Sequence, residues 1–170
     1  KRHHKRIDAL IEEFATFADR CPEPCTLVVA GGREAETDAV IAHGRARLGD
    51  RVRFLEQVPR DRIHTLDRAA DLFALASFHE MMPIAVLEAL ASGLPIACND
   101  TPTLRWMVGP AGRLNDITRP GALAEQLEAL RPPETRARLA REARLHAEAT
   151  FSEAVVIRQV LEMYAEVARR

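Results

Sequence analysis

The chain has little cysteine, few aromatic residues and almost no excess charge. Of its 170 residues three are cysteine and 5% are aromatic, and the formal net charge is -1. A small, odd cysteine count excludes a disulfide scaffold and favours reduced thiols, which are usual in the cytoplasm. A near-neutral chain has no overall field that would attract nucleic acid or an anionic membrane. We therefore expect a cytoplasmic protein without a nucleic-acid partner; a peripheral position at the inner membrane face stays open for the full-length protein.

Long apolar runs and clusters of metal ligands are also missing from the sequence. No run approaches the roughly 18–20 apolar residues that a membrane-spanning helix needs, so we expect no transmembrane segment. Cys21 and Cys25 have no second ligand pair nearby, and the sequence contains neither an Asp-x-Asp pair nor a His/Asp cluster. We therefore expect no metal and no cofactor.

Helical stripes alternate with short apolar runs along the chain. A stripe at three- and four-residue spacing, from Ile7 to Phe17, predicts an amphipathic helix over about residues 4–20. The run Thr26–Gly31 predicts a strand that is buried on both faces. Further strands are predicted at 52–55, 71–76, 95–98 and 112–114, with helices between them. This alternation predicts an α/β fold, a Rossmann-like doubly wound parallel sheet with helices on both faces.

The pattern indicates one domain, with an α/β core over about residues 1–118 and a helical tail over about 119–170. A break is predicted at Pro132-Pro133 and a new helix near Ser152. In that last helix, four apolar residues predict an exposed stripe: Phe151, Val155, Val160 and Tyr164. A doubly wound sheet normally begins with a strand, whereas this chain begins with a helix. We therefore expect a strand, and a further domain, upstream of Lys1.

The stretch from Ser77 to Pro95 contains the densest group of candidate functional residues. Glu80 follows a predicted strand, and Pro83 suits the first position of a helix. The cap position then falls on Met82, whose side chain has no oxygen to accept the free backbone amides. An uncapped helix start at the carboxyl end of a parallel strand favours anions. Ligands of open α/β sheets bind at this edge.

Glu88 lies roughly 7.5 Å further along the same helix, at about 1.5 Å per residue. This is about the distance from a diphosphate to the ribose of one nucleotide, so the Glu88 carboxylate could accept hydrogen bonds from ribose hydroxyls. Geometry alone equally allows two solvated glutamates that suit the positive end of a helix. His79 is open in the same way, either as a pocket residue or as an ordinary loop histidine.

The stretch 77–95 resembles the donor-binding domain of retaining glycosyltransferases of the GT-B fold, in particular family 4. Glu80 and Glu88, with seven residues between them, are similar to that family's paired glutamates, and Glu-Ala-Leu-Ala-Ser-Gly-Leu-Pro at 88–95 is similar to the usual continuation. Other segments resemble the family in the same order, at residues 5–14, 27–32, 52–59, 70–73 and 109–116. The resemblance thus covers roughly the first 120 residues.

The resemblance implies roles for individual residues. Lys5 matches the lysine that neutralises the donor diphosphate, Glu80 the glutamate that contacts the donor sugar, and Glu88 the glutamate that holds the ribose. Lys5 and Glu80 are therefore the catalytic candidates. The other donor-binding candidates that it implies are Met81, Met82, Pro83, Gly31, Gly32 and Val58. A terminal lysine without a fixed partner is the alternative for Lys5.

The family implies a hexosyltransferase that takes a sugar from a UDP-, GDP- or ADP-linked donor and retains the anomeric configuration. It also implies catalysis without a metal, and a partner arginine upstream of Lys1. The acceptor would bind in the protein's own N-terminal domain, so this chain alone would bind donor and transfer nothing.

Three departures from the family pattern favour an alternative, a non-catalytic nucleotide-sugar-sensing module. Met81 and Glu56 stand where the family commonly has glycine, and Trp106 where many members have glutamate. A flavodoxin-like signalling domain is a third hypothesis, but the acidic cluster expected for it is missing.

Overall fold

The computed structural model of the protein describes residues 5–169, along which strands and helices alternate. The strands of this part span Leu27–Gly31 (β1), Val52–Glu56 (β2), Phe73–Leu75 (β3), Ile96–Asn99 (β4) and Gly112–Asn115 (β5). Its α-helices span Ile7–Ala18 (α1), Thr37–Leu48 (α2), Ile63–Ala69 (α3), Ile84–Ala91 (α4), Pro102–Val108 (α5), Ala122–Leu130 (α6), Pro133–Phe151 (α7) and Glu153–Val167 (α8). Position 4, where the first helix was predicted to begin, lies outside the described residues.

The strands pair in parallel, and over residues 5–169 their hydrogen bonds form two sheets. In the first, β1 pairs with β2 and Leu27 lies opposite Val52. In the second, β4 lies between β3 and β5, so that Ile96 has Phe73 on one side and Gly112 on the other. The parallel α/β class and the helical C-terminal extension confirm the fold predicted from the alternating pattern.

The burial predicted for β1 is wrong. Leu27 is buried, but Val28 is 50% exposed. The fully buried strand is instead β4, in which all four residues are buried. The difference arises because β4 has a hydrogen-bonded strand on each side and contacts α4, α5 and α6, whereas β1 is paired with β2 alone in the described chain.

Two apolar clusters hold the elements together. The first joins α1 and α6 to both sheets and includes Ile11 and Leu127. The second packs α4, α5 and α7 against the three-stranded sheet and includes Leu90, Ile96 and Leu104. Full burial of such a side chain contributes about 1.5–3 kcal/mol to folding. The strand ends that carry the candidate site residues are therefore fixed by packing in these two apolar clusters.

A carboxylate on α1 caps the start of α6. The two carboxylate oxygens of Glu13 accept hydrogen bonds from the amides of Gly121, at 2.7 Å, and Ala124, at 2.9 Å. Gly121 occupies the cap position of α6 with φ 85, a left-handed conformation that favours glycine. Glycine has no side-chain oxygen, so Glu13 supplies the acceptor, and its negative charge suits the positive helix end.

The last helix packs less closely than the rest. Over its described length α8 has no buried residue, and Val160 and Tyr164 are exposed as predicted. The prediction for Phe151 is wrong, because its ring lies edge-on to Trp106 with 5.2 Å between the ring centroids. Phe151 is the last residue of α7 and packs against the second apolar cluster. Val155 is only partly exposed, so the exposed stripe begins after it, at Val156.

Candidate functional site

The loop between β3 and α4 brings Glu80 to Lys5, at the start of α1. The Lys5 Nζ atom lies 2.6 Å from the Glu80 Oε1 atom. The Glu80 side chain is only 11% exposed, whereas that of Lys5 is 48% exposed. The lysine that sequence analysis assigned to the diphosphate and the glutamate that it assigned to the sugar are thus in direct contact across 75 residues of sequence.

Asn99, at the end of β4, holds this loop from the other side. Its amide nitrogen donates a hydrogen bond to the Phe78 carbonyl at 2.8 Å, and its amide oxygen accepts one from the Ile117 backbone at 3.2 Å. Asn99 is 7% exposed, so water competes little for these bonds. The loop that carries Glu80 is therefore attached to the neighbouring strand by a side chain as well as by the chain itself.

The start of α4 differs by one residue from the sequence prediction. Pro83 is the cap residue, not the first helical residue, because its ψ of 107 is extended while its carbonyl accepts the first bond, from Val86 at 3.0 Å. No side chain caps this helix start, as the sequence predicted for Met82. Met81 is 91% exposed and Met82 53% exposed, so both side chains extend into solvent beside the free helix amides.

Glu88 lines a cleft of about 320 Å³ between α3, α4 and α7. The residues around it are Arg60, Ile63, His64, Asp67, Arg68, Glu88, Ala91, Ser92 and Arg144. Burial, and secondarily the negative charge of Glu88, raise the pKa of the Asp67 carboxyl. Two carboxylates and several cations thus share one cleft, which suits a ligand with both hydroxyl groups and negative charge.

A backbone hydrogen bond links the carboxyl ends of β1 and β2. The Gln57 amide donates a hydrogen bond to the Gly31 carbonyl at 2.8 Å, and Gln57 has a left-handed φ of 52. Gly31 is thus bonded to the residue that precedes Val58. A Cβ atom at either glycine would have no atom within 4 Å, so the space there is open. The donor-binding roles that the resemblance implies for Gly31, Gly32 and Val58 stay predictions.

The three residues that depart from the family pattern have ordinary surroundings. Glu56 forms an ion pair with Arg33, which also binds Asp38 at 2.6 Å. Trp106 packs on Phe151, at the end of α7. The Met81 side chain is almost fully exposed, so it does not fill the space beside Glu80.

Sequence reasoning missed the α3 wall of the Glu88 cleft. His64 and Asp67, three residues apart on α3, lie on one side of that helix, and Arg60 lies in the 3-10 turn Arg60–Arg62 just before it. That spacing was readable from the sequence, but nothing in the sequence indicated which element faces Glu88. The roles that the resemblance implies for Lys5, Glu80 and Glu88 in donor binding stay predictions.

Among residues 5–169, no three side chains of His, Cys, Asp or Glu are grouped so that they could hold a metal ion. In the same residues no helix is long and apolar enough to cross a membrane.

Comparison with known proteins identifies a matching family and several relatives. The family described as "Glycosyl transferases group 1" matches residues 2–146. D-inositol 3-phosphate glycosyltransferase from Salinispora tropica is 35% identical over 95% of this chain, and the enzyme of that name from Corynebacterium glutamicum is 34% identical over 94%. These matches span 36% and 40% of the two relatives, so the chain corresponds to roughly two fifths of their length.

A solved structure agrees in fold. HepE from Anabaena, in complex with UDP, is 25% identical, with a TM-score of 0.80 over 96% of this chain and 46% of that one. The family match covers most of the chain, and the fold agrees with the resemblance to a GT-B donor-binding domain. The chain therefore belongs to the group 1 glycosyl transferases.

Proposed function

We propose that this chain is the donor-binding domain of a glycosyltransferase that transfers a hexose from a nucleotide diphosphate sugar and retains the anomeric configuration. The observation that carries the proposal is the contact between Lys5 and Glu80 at the base of α4. In this proposal Lys5 and the uncapped start of α4 contact the diphosphate, and Glu88 contacts the ribose. HepE, with a similar fold, is known in complex with UDP, which supports the same class of ligand here.

The residues of this domain would act mainly by electrostatics. As the bond between the anomeric carbon and the diphosphate breaks, negative charge grows on the departing phosphate oxygens. Lys5 and the free amides at the start of α4 would stabilise this charge. Glu80 would hold the sugar through its hydroxyl groups, and Glu88 would hold the ribose. Gly31, Gly32 and Val58 would lie beside the base.

The acceptor would bind to a further domain of the full-length protein, and this chain alone would bind donor without transferring it. The relatives it matches are more than twice its length, which supports this division of roles. A sensing module without catalysis is the alternative. Transfer by the full-length protein, lost in the Lys5→Ala variant, would decide for the enzyme.

Donor binding is tested by thermal melting and titration calorimetry with UDP-, GDP- and ADP-sugars. A ligand that binds the folded state increases the free energy of unfolding and thereby raises the melting temperature. At a ligand concentration one hundred times the Kd, the increase in free energy is about 2.7 kcal/mol. We expect one nucleotide class to bind, and Glu88→Ala to weaken it by about tenfold or more. Glu153→Ala, at an exposed site on α8, is the matched control. If no class binds at millimolar concentration, the proposal is wrong for this chain.

A further inference from the structure

The residue that follows Lys5 has an unusual backbone conformation. Arg6 has φ 49 and ψ 46, in the left-handed region that side chains other than glycine rarely adopt. Its carbonyl accepts the hydrogen bond of the Leu10 amide at 2.9 Å, so Arg6 is the cap residue of α1. The left-handed turn therefore stands between the helix and Lys5, and it sets the direction in which Lys5 leaves the helix axis.

A side-chain contact accompanies this conformation. The guanidinium carbon of Arg6 lies 3.6 Å from the centroid of the Phe78 ring. A cation at this distance over an aromatic face is attracted to the electrons of the ring. Phe78 is partly buried against the first apolar cluster, and its carbonyl is bound by Asn99. Arg6 therefore stacks on a ring that is fixed both by packing and through its main chain.

Two neighbouring residues before α1 contact two residues of the loop between β3 and α4. Lys5 contacts Glu80 and the next residue, Arg6, contacts Phe78, two residues earlier in the loop. Half of the Lys5 side chain is exposed, so an ion pair alone would hold its long, flexible stem only weakly. The Arg6 stack fixes the backbone immediately beside it.

We propose that Arg6 is a positioning residue: its stack on Phe78 holds the left-handed turn at the start of α1 and thereby keeps the Lys5 ammonium beside Glu80. The consequence for a bound diphosphate rests on the function proposed above. The placement of Lys5 beside Glu80 does not rest on that function, because it is a property of the protein without a ligand.

Three substitutions separate the stack from the backbone conformation. Arg6→Gly suits the left-handed turn but removes the guanidinium. Phe78→Leu keeps apolar volume against the cluster but removes the aromatic face. Arg6→Lys keeps a cation that can lie over the ring and is the conservative variant. Phe17→Leu is the control for the loss of a ring, since Phe17 packs against Phe14 in the same cluster.

The first measurement needs no ligand. Amide hydrogen exchange across residues 79–82 reports how firmly the loop is held. We expect exchange there to be about tenfold faster in Arg6→Gly and Phe78→Leu, and close to wild type in Arg6→Lys and Phe17→Leu. Unchanged exchange in Arg6→Gly and Phe78→Leu would overturn the proposal, even if the chain bound no nucleotide at all.

The second measurement compares the affinities for UDP and UMP, which differ in the phosphate that Lys5 would contact. We expect Arg6→Gly and Phe78→Leu to weaken UDP binding by about tenfold and UMP binding by less than about twofold. Lys5→Ala should have the same effect on the two affinities. Arg6→Lys should restore most of the difference. Equal losses for both nucleotides would indicate a merely structural role and overturn the proposal. Failure of wild type to bind either one, with loop exchange as expected, would instead contradict the proposed function.

Discussion

At the scale of single residues, the Asp67 carboxylate lies in a partly buried site that disfavours its negative charge. One of its oxygens, Oδ2, is buried without a hydrogen-bond partner in the described structure. Burial and the nearby Glu88 raise the pKa of Asp67, while His64 opposes them. A raised pKa in the folded state means that folding favours the protonated form. Asp67 therefore stabilises the fold below its unfolded pKa of about 3.9, and this stabilisation is lost as the pH rises through the raised value.

Asp67→Asn should keep the shape of the protonated acid and remove the charge. We expect the variant to melt about 1–2 °C higher than wild type at pH 7, a difference of about 0.5 kcal/mol for a domain of this size. The difference should shrink towards pH 4. Calorimetry across this range, with the exposed Asp61→Asn as control, measures it. A constant difference at all pH values would show that the charge of Asp67 is not its cause.

Gly112 tests how tightly β5 fits against β4. A Cβ atom built there would overlap the Ile96 carbonyl and lie 2.7 Å from the Val108 Cγ1 atom. Neither the strand backbone nor a buried valine moves easily, so we expect Gly112→Ala to lower the free energy of unfolding by about 1–3 kcal/mol. Gly31→Ala adds the same methyl group at the end of β1, where no atom lies within 4 Å. Denaturant titration should find this second variant close to wild type.

At the scale of elements, Asn99 couples β4 to two loops. Asn99→Ala would leave the Phe78 carbonyl and the Ile117 amide without their partner in a buried place. We expect a loss of about 2 kcal/mol, since an unsatisfied buried group costs about 1–3 kcal/mol. Asn115→Ala, at an exposed position at the end of β5, should change stability by less than about 0.5 kcal/mol. Equal effects in the two variants would contradict the role given to Asn99.

The sequence predicted the elements better than their surroundings. Strand and helix order followed from periodicity, because alternating elements bury their apolar faces in regular patterns. Burial did not follow: the apolar run of β1 looks like that of β4, and only the pairing of neighbouring strands distinguishes them. The contact of Lys5 with Glu80 joins residues far apart in sequence, and family resemblance indicated both residues but not their distance. The left-handed conformation of Arg6 could not be predicted from the sequence, because glycine is the usual residue of such a turn.

At the scale of the whole molecule, α8 adds apolar surface without adding core. Its exposed side chains include Val156, Ile157, Leu161, Met163 and Val167. Truncation after Ser152 should therefore change the melting temperature by less than about 2 °C, and it should reduce self-association at high concentration. Light scattering and thermal melting measure the two effects. Leu130→Ala in the fully buried part of α6 should by contrast cost about 2–5 kcal/mol. A large loss of stability on truncation would show that α8 is part of the core.

The carboxylate of Glu13 has a consequence for how the loop before α6 can vary in length. Surface loops generally tolerate insertions, because their ends have slack. The segment 116–120 ends at Gly121, whose amide must meet one Glu13 oxygen while the Ala124 amide meets the other. One added residue would rotate α6 by about 100° or shift the left-handed glycine away from the helix start. The length of this loop near the end of the α/β core is thus fixed by an acidic residue in the first helix.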